Sequence, residues 1–355
     1  MKTHTPKIYL DRNEITSGPA PECLEVLRNI TQDELSYYTR DYSKGIKSML
    51  SQRLAELNNL PEERVLLGYG SEDLIKQCIH CYLGPGTVLL KPELSWWYYD
   101  SVASEVAAKT HCFRLLKERR RFSFNADLIL SACHRWKPSV LLISSPNNPT
   151  GNSIMADDLH TVLAETRQSI VVLDQAYYGF SSGNELSLTY LLEEFPNLVV
   201  LRTFSKLYGL AGARIGYAFA GKGASRLIRF SKKYLGYNRI SEALALTALN
   251  ARRYYQELRL MIEQQKHKYY ESLGALPGMK VYESDASFVL VAFDPDLGGI
   301  IRQALSQNNI VVKFFDDDDI RLKHHMRISI GTPQENDLVI GTLSAALTRR
   351  KVAAA

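Results

Sequence analysis

A lysine, an aspartate, a tyrosine and an asparagine each stand at or just beyond the end of a short apolar run in this chain, and an arginine directly precedes another. Leu198–Arg202 is followed by Thr203-Phe204-Ser205-Lys206, with Arg214 eight residues further on. A lysine at the mouth of a buried strand loses hydration, which lowers its pKa toward a nucleophilic free amine. The run Ile170–Leu173 closes in Asp174, and Tyr177 follows. A carboxylate there is costly to bury unless a cation or a hydrogen-bond donor meets it. Ser145 to Gly151 follows Val140–Ser144, and its two prolines and glycine make a rigid turn that aims Asn148 at the strand ends. Val65–Gly68 runs into Tyr69-Gly70-Ser71-Glu72. Gly70 lets the backbone approach closely, and the free N–H groups of a helix start suit a phosphate. Singly, each feature has an ordinary structural explanation, such as a satisfied ion pair or a plain turn. Together they bring an amine, a carboxylate, a phenol, an amide, a guanidinium and an anion cradle to one sheet edge.

Those groups converge only if the runs are neighbouring strands. The spacing predicts strands at Val65–Gly68, Val88–Lys91, Val140–Ser144, Ile170–Asp174, Leu198–Arg202 and Ile215–Ala220. Amphipathic stretches such as Ala156–Thr166 and Leu188–Glu194 alternate with them. Continuous apolar strands alternating with helices read as an α/β fold, a mostly parallel sheet covered on both faces. From Arg226 to Leu273 the pattern is one long helical region, with a break expected near Gly236-Tyr237-Asn238. Strand-like stretches at Ser287–Phe293, Ile310–Phe314 and Met326–Ile330, with helices at Ile300–Gln307 and Glu335–Thr348, indicate a smaller α+β domain. The expected division is an N-terminal arm (1–35) packing with the small domain, a large domain (36–235) and a small C-terminal domain (236–355).

Composition narrows the function classes. With 355 residues, 45% of them apolar and 23% charged, the chain is globular and long enough for about two domains. The excess of 43 basic over 38 acidic side chains is mild and spread along the chain, so no nucleic-acid partner is expected. No apolar run reaches the length of a membrane span, and the N-terminus has no apolar leader. Five cysteines at irregular spacing (Cys23, Cys78, Cys81, Cys112, Cys133) fit a reducing cytoplasm rather than a disulfide framework. Cys78 and Cys81 fall in a helical apolar pattern and read as buried helix residues. A metal site would need a second ligand pair, for which only His324-His325 offers itself, so no metal is expected.

Pyridoxal phosphate needs the set of groups assembled above. The chain resembles the fold-type I pyridoxal-phosphate aminotransferases of class I/II, most closely the histidinol-phosphate aminotransferase branch. The resemblance runs from about Tyr9 to Leu347. It is carried by Leu10-Asp11-Arg12-Asn13-Glu14 with Gly18-Pro19, Ser145 to Gly151, Asp174 to Tyr177, Thr203 to Gly216, and Arg327 to Thr332. It implies that Lys206 forms the Schiff base with the cofactor and moves the proton. Asp174 holds the pyridine nitrogen protonated, and Asn148 and Tyr177 bond the ring oxygen. Gly70, Ser71, Glu72, Thr203, Ser205 and Arg214 surround the phosphate. Trp96, in Leu94-Ser95-Trp96-Trp97-Tyr98-Tyr99, stands where the family stacks a tyrosine on the cofactor. Arg327 clamps the substrate carboxylate, with Asn13 in the segment that folds over it. A homodimer follows, with Tyr42, or alternatively Tyr38, reaching the neighbouring phosphate.

The implied reaction moves an amino group from histidinol phosphate or an amino acid to a 2-oxo acid. Lys313 stands near a position where the histidinol-phosphate enzymes carry an arginine. The run Asp316 to Asp319 beside it would repel a dianionic substrate, which points to an unphosphorylated, aromatic or basic donor. Two other readings are weighed: a decarboxylase of the same fold, and a non-catalytic regulatory or binding protein. The presence of both Lys206 and Asp174 argues against the second.

Overall fold

The computed structural model describes residues 6–44, 47–181, 187–232, 235–315 and 320–354. Its strands are, in chain order, β1 (Ile8–Leu10), β2 (Val65–Gly68), β3 (Val88–Pro92), β4 (Lys109–Phe113), β5 (Leu116–Lys117), β6 (Phe122–Ser123), β7 (Val140–Ser144), β8 (Ile170–Asp174), β9 (Leu198–Thr203), β10 (Gly216–Ala220), β11 (Met279–Tyr282), β12 (Phe288–Phe293), β13 (Ile310–Phe314) and β14 (His325–Ser329). β5 and β6 form a separate hairpin.

A seven-stranded sheet runs in the order β2-β10-β9-β8-β7-β3-β4. Its pairings are parallel from β9 through β4, and β10 is antiparallel to both of its neighbours. Alternate residues divide between two packed layers. Leu142, Val172, Val199 and Leu201 face Leu74, Ile75 and Val102, from the helices Ser71–Tyr82 and Tyr98–Glu105. Leu141, Ile143, Val171, Leu173 and Val200 share the other core with Ile129, Val162 and Leu163, from the helices Ala126–Trp136 and Ala156–Glu165. Burial on both faces is why these strands read as unbroken apolar runs. The parallel strands end together, with Ser144 directly beside Asp174 in register. In open parallel sheets that edge is where ligands bind.

The five-stranded sheet has the order β1-β13-β14-β12-β11, and only the β1–β13 pairing is parallel. The N-terminal segment, which fits no β/α repeat, therefore adds an edge strand to this sheet. From there the chain passes Asp11 to Glu14 across the end of the larger sheet.

Three expectations change. β4 was not read from the sequence, because as a half-exposed edge strand, Lys-Thr-His-Cys-Phe, it has no continuous apolar run. β11 was missed in the same way, its four residues Met-Lys-Val-Tyr being too short to register. The region 226–273 contains three helices, Ser225–Phe230, Arg239–Asn250 and Arg252–Ser272. The first break falls where glycine suggested it. The second, at Ala251 (ψ 46°), has no glycine or proline to mark it. It is fixed from outside: the Tyr254 hydroxyl donates to the Gly18 carbonyl at 3.0 Å, and the Tyr255 oxygen accepts from Ala20 N–H at 3.0 Å.

Candidate active site

A cavity of about 850 Å³ opens at the C-terminal edge of the parallel strands, lined from both sheets. Asp174, at the end of β8, is buried at its floor. Its two oxygens are held separately, Oδ2 by the Tyr99 hydroxyl at 2.7 Å and Oδ1 by the Ala176 N–H at 3.0 Å. Burial raises its pKa, while the Tyr99 hydroxyl, the Ala176 amide and the nearby charge of Lys206 pull it back.

Lys206 reaches in from the turn after β9. Its ammonium donates to the carbonyls of Arg12 at 3.1 Å and Asn13 at 3.2 Å. Burial, reinforced by the guanidinium charges of Arg327 and Arg214, lowers its pKa from 10.5 to about 8; Glu14 and Asp174 oppose the shift. The amine is thus held by neutral acceptors in a field that disfavours its charge, the condition for a nucleophilic lysine.

Asn13 is the joint between the N-terminal segment and both sheets. Its φ of 55° lies in the left-handed region, which asparagine tolerates better than most residues. In that conformation its N–H donates to Ser329 Oγ at 2.8 Å, and its side-chain amide donates to the Tyr177 oxygen at 2.7 Å. Ser329 in turn donates to Asn13 Oδ1 at 3.0 Å. Tyr177 is buried, which raises its pKa, with Arg327 and Asn13 opposing. Arg327, on β14, donates to Asn148 Oδ1 and to the Asp11 carbonyl. Asn148 and Arg327 therefore meet across the cavity, one from each sheet.

At the other end of the cavity lies an anion cradle. Gly70 caps the helix Ser71–Tyr82 with φ 86° and no side-chain cap, so the first N–H groups of the helix remain available. A Cβ at Gly70 would come within 2.5 Å of Arg214 Nη2, and one at Gly216 within 2.2 Å of the Gly70 and Ser71 backbone. Gly216 is required by close approach to fixed backbone, whereas Gly70 is required by its positive φ, its near contact being the movable end of Arg214. Arg214 pairs with the Glu72 carboxylate at 3.2 Å, while Thr203 and Ser205 share a hydroxyl hydrogen bond at 3.0 Å. Trp96 lines the wall, stacked on Tyr98 with centroids 4.8 Å apart and set edge-on to Tyr99 at 5.7 Å.

Of the residues singled out from the sequence, Asn13, Ser71, Glu72, Trp96, Asn148, Asp174, Tyr177, Thr203, Ser205, Lys206, Arg214, Lys313 and Arg327 all line this cavity, with Gly70 at its helix cap. Tyr38 does not: it is exposed, in a separate cavity with Tyr37, Arg40 and Arg239. The Tyr42 side chain and Asp316–Asp319 lie outside the described residues. Two contributors were missed by sequence reasoning. Tyr99, which binds Asp174, is the last of the four aromatics in the segment read for Trp96, and that segment was the available signal. Lys91 is buried beside Asp100 at 3.0 Å, and its place at the end of the run Val88–Lys91 was the available signal. Cys78 and Cys81 are buried in their helix, and burial pushes the Cys78 thiol far up.

Residues 5–343 match the family described as aminotransferase class I and II. The histidinol-phosphate aminotransferase of Thermoanaerobacter sp. (strain X514) is 30% identical over 339 residues, 95% of this chain and 92% of that protein. Among solved structures, the histidinol-phosphate aminotransferase from Sinorhizobium meliloti in complex with pyridoxal-5'-phosphate superposes with a TM-score of 0.85 at 24% identity. The match covers 97% of this chain and 91% of that one. The L-threonine-O-3-phosphate decarboxylase from Porphyromonas gingivalis superposes with a TM-score of 0.79 at 19% identity, covering 96% and 99%. The architecture is thus common to transaminating and decarboxylating enzymes, and the family match is to the aminotransferases.

Proposed function

The chain belongs to the aminotransferase class I and II family, and from that premise we propose how its own residues carry the reaction and which donor they select. It is a pyridoxal-phosphate-dependent aminotransferase. The residues present fit that cofactor: a buried carboxylate, an amine with lowered pKa, and an anion cradle in which Gly70 takes a positive φ and Gly216 leaves no room for a Cβ. When bound, pyridoxal phosphate supplies the electron sink that lets the donor lose its Cα proton and pass its nitrogen to a 2-oxo acid.

Lys206 would hold the cofactor through Nζ and, once the donor's amine displaces that nitrogen, the freed amine would carry the proton to and from the donor carbon. Asp174, fixed by Tyr99 and the Ala176 amide, would face the ring nitrogen and favour its protonated form. Asn148 and Tyr177 would hydrogen-bond the ring oxygen, and Trp96 would offer an aromatic face to the ring. Arg214, Thr203, Ser205 and the Gly70–Glu72 backbone would hold the phosphate. The Glu72 carboxylate, itself an anion, serves by aligning Arg214. The division into an arm (1–35), a large domain (36–235) and a small domain (236–355) is supported by the two separate sheets, with β1 joining the smaller one.

The donor reading rests on one observation: Lys313 and Arg327 are directly opposite in the β13–β14 ladder, and both line the cavity. Two adjacent cations suit a strongly anionic group, and Arg327 offers the bidentate fork that phosphate and carboxylate accept. We therefore assign histidinol phosphate as the amino donor, in place of the unphosphorylated donor expected from the Asp316–Asp319 run, which lies outside the described residues. The aromatic lining at Trp96, Trp97 and Phe315 favours a second reading, an aromatic amino acid clamped through its carboxylate. Comparing kcat/KM for histidinol phosphate with a panel of amino acids separates them. A preference for histidinol phosphate of about a hundredfold or more, roughly 2.7 kcal/mol, is expected. Equal or better turnover of an amino acid overturns the assignment.

A cytoplasmic homodimer completes the proposal. No described helix is long and apolar enough to cross a membrane. Tyr38 is exposed and lines a cavity other than the one that holds Lys206, which fits a family role exercised across a subunit boundary. Sedimentation is expected to give a dimer at catalytic concentrations. A fully active monomer would refute this.

A further inference from the structure

A second cavity lies directly behind the wall of the active site. It measures about 520 Å³, and it shares Glu93 and Leu94 with the catalytic cavity. Its apolar lining includes Leu94, Leu115 and Phe122, all buried, together with Leu128. Its rim is cationic, carrying Arg114, Lys117 and Arg321. Such a lining is apolar below and positive above, and none of the catalytic assignments uses it.

The charge there is concentrated. Between Arg114 and Arg121 the chain carries five cationic side chains and one acidic one, in a protein whose overall excess is +5. Arg120 is committed to Glu283 at 3.4 Å, and Glu118 accepts from Ser123. Lys117 is held by aromatic faces, 5.8 Å from the Phe122 ring centre and 5.7 Å from that of Tyr282. Neither Arg114 nor Lys117 has a carboxylate partner among the described residues. Arg321 binds both the carboxylate and the carbonyl of Glu93, the residue common to the two cavities. An anion reaching Arg321 from the rim would compete with Glu93 for it.

We propose that this cavity is an accessory binding site for a small organic anion with an apolar body, an aryl or branched-alkyl carboxylate, sulfonate or phosphate. The body would occupy the leucine and phenylalanine floor, and the charge would sit between Arg114 and Lys117. A neutral apolar molecule would leave those cations unmatched, and an inorganic anion would leave the floor exposed to water.

The test uses the holoenzyme with 1-anilinonaphthalene-8-sulfonate as the probe and its uncharged analogue N-phenyl-1-naphthylamine as the comparison. Saturable binding of the sulfonate is expected, at least about tenfold tighter than the neutral analogue, and weakening as salt screens the rim. Lys117→Glu is expected to weaken it by roughly tenfold, and adding Arg114→Glu to abolish it. Both residues stand outside the catalytic machinery, so transaminase turnover should be retained and reports that the variants are folded. Equal binding of charged and neutral probes overturns the proposal. So does sulfonate binding that survives in the double variant, including binding that the amino donor displaces, which would place the dye in the catalytic cavity.

Discussion

Lys206→Ala is expected to abolish covalent retention of pyridoxal phosphate and to lower transamination by at least about 10³-fold, within the range a positioned proton-transferring group contributes. The loss has two parts. The variant can no longer bond the cofactor, and no other base takes the proton from the donor carbon. Borohydride reduction of the native holoenzyme followed by peptide mapping checks the assignment, and label on any other lysine would refute it. The environment of Lys206 adds a pH signature. A side chain with a pKa of about 8 is ammonium below that pH and free amine above it. Capture of pyridoxal phosphate by the cofactor-free protein should therefore rise with pH through a midpoint near 8, where an ordinary lysine would rise near 10.5. At pH 7 the shift leaves roughly one molecule in ten as free amine, against fewer than one in a thousand without it. A midpoint at the ordinary lysine value would show that burial and the arginines do not act on it as described.

Removing the carboxylate at the cavity floor should be nearly as damaging. Asp174→Ala takes away the anion that stabilises a protonated ring nitrogen, and a preorganised electrostatic partner of this kind is worth about 10²–10³ in rate. Asp174→Asn is close in shape, and its comparison with alanine separates charge from packing. Both variants are expected to retain the fold, because Asp174 is a destabilising group to bury: its pKa is raised by desolvation and only partly restored by Tyr99 and Ala176. Thermal unfolding should show little loss, or a gain, while the proton-transfer step slows. Near-normal turnover by Asp174→Ala would mean that another residue stabilises the ring nitrogen.

Much of the lining of the candidate site was legible from the chain. The strands β7, β8 and β9 are buried on both faces, so their apolar runs are continuous. In parallel strands all chain exits lie at one edge, so Asn148, Asp174 and Lys206 had to come near one another once those runs were strands. Local chemistry also marked Gly70 and Arg214, because a helix start without a side chain and a nearby guanidinium are an anion cradle by residue type. These inferences needed only periodicity and the order of strand and turn.

Other features depended on contacts between distant parts of the chain. The second break in the long helical region, at Ala251, is set by tyrosine hydroxyls reaching Gly18 and Ala20, more than two hundred residues earlier. The partner of Asp174 is Tyr99, seventy-five residues away, and its role follows from the helix Tyr98–Glu105 lying on one face of the sheet. The juxtaposition of Lys313 with Arg327 exists only in the β13–β14 register. The second cavity is lined jointly by residues of the β5–β6 hairpin and by Glu93 and Arg321, more than two hundred residues apart in the chain. Sequence by itself determined the cofactor chemistry, because that chemistry is a property of residue types at the ends of predictable strands. Tertiary structure alone decided the charge environment that lowers the Lys206 pKa and the contacts that hold the Asp174 carboxylate, because side-chain fields depend on distances across space that chain separation does not encode.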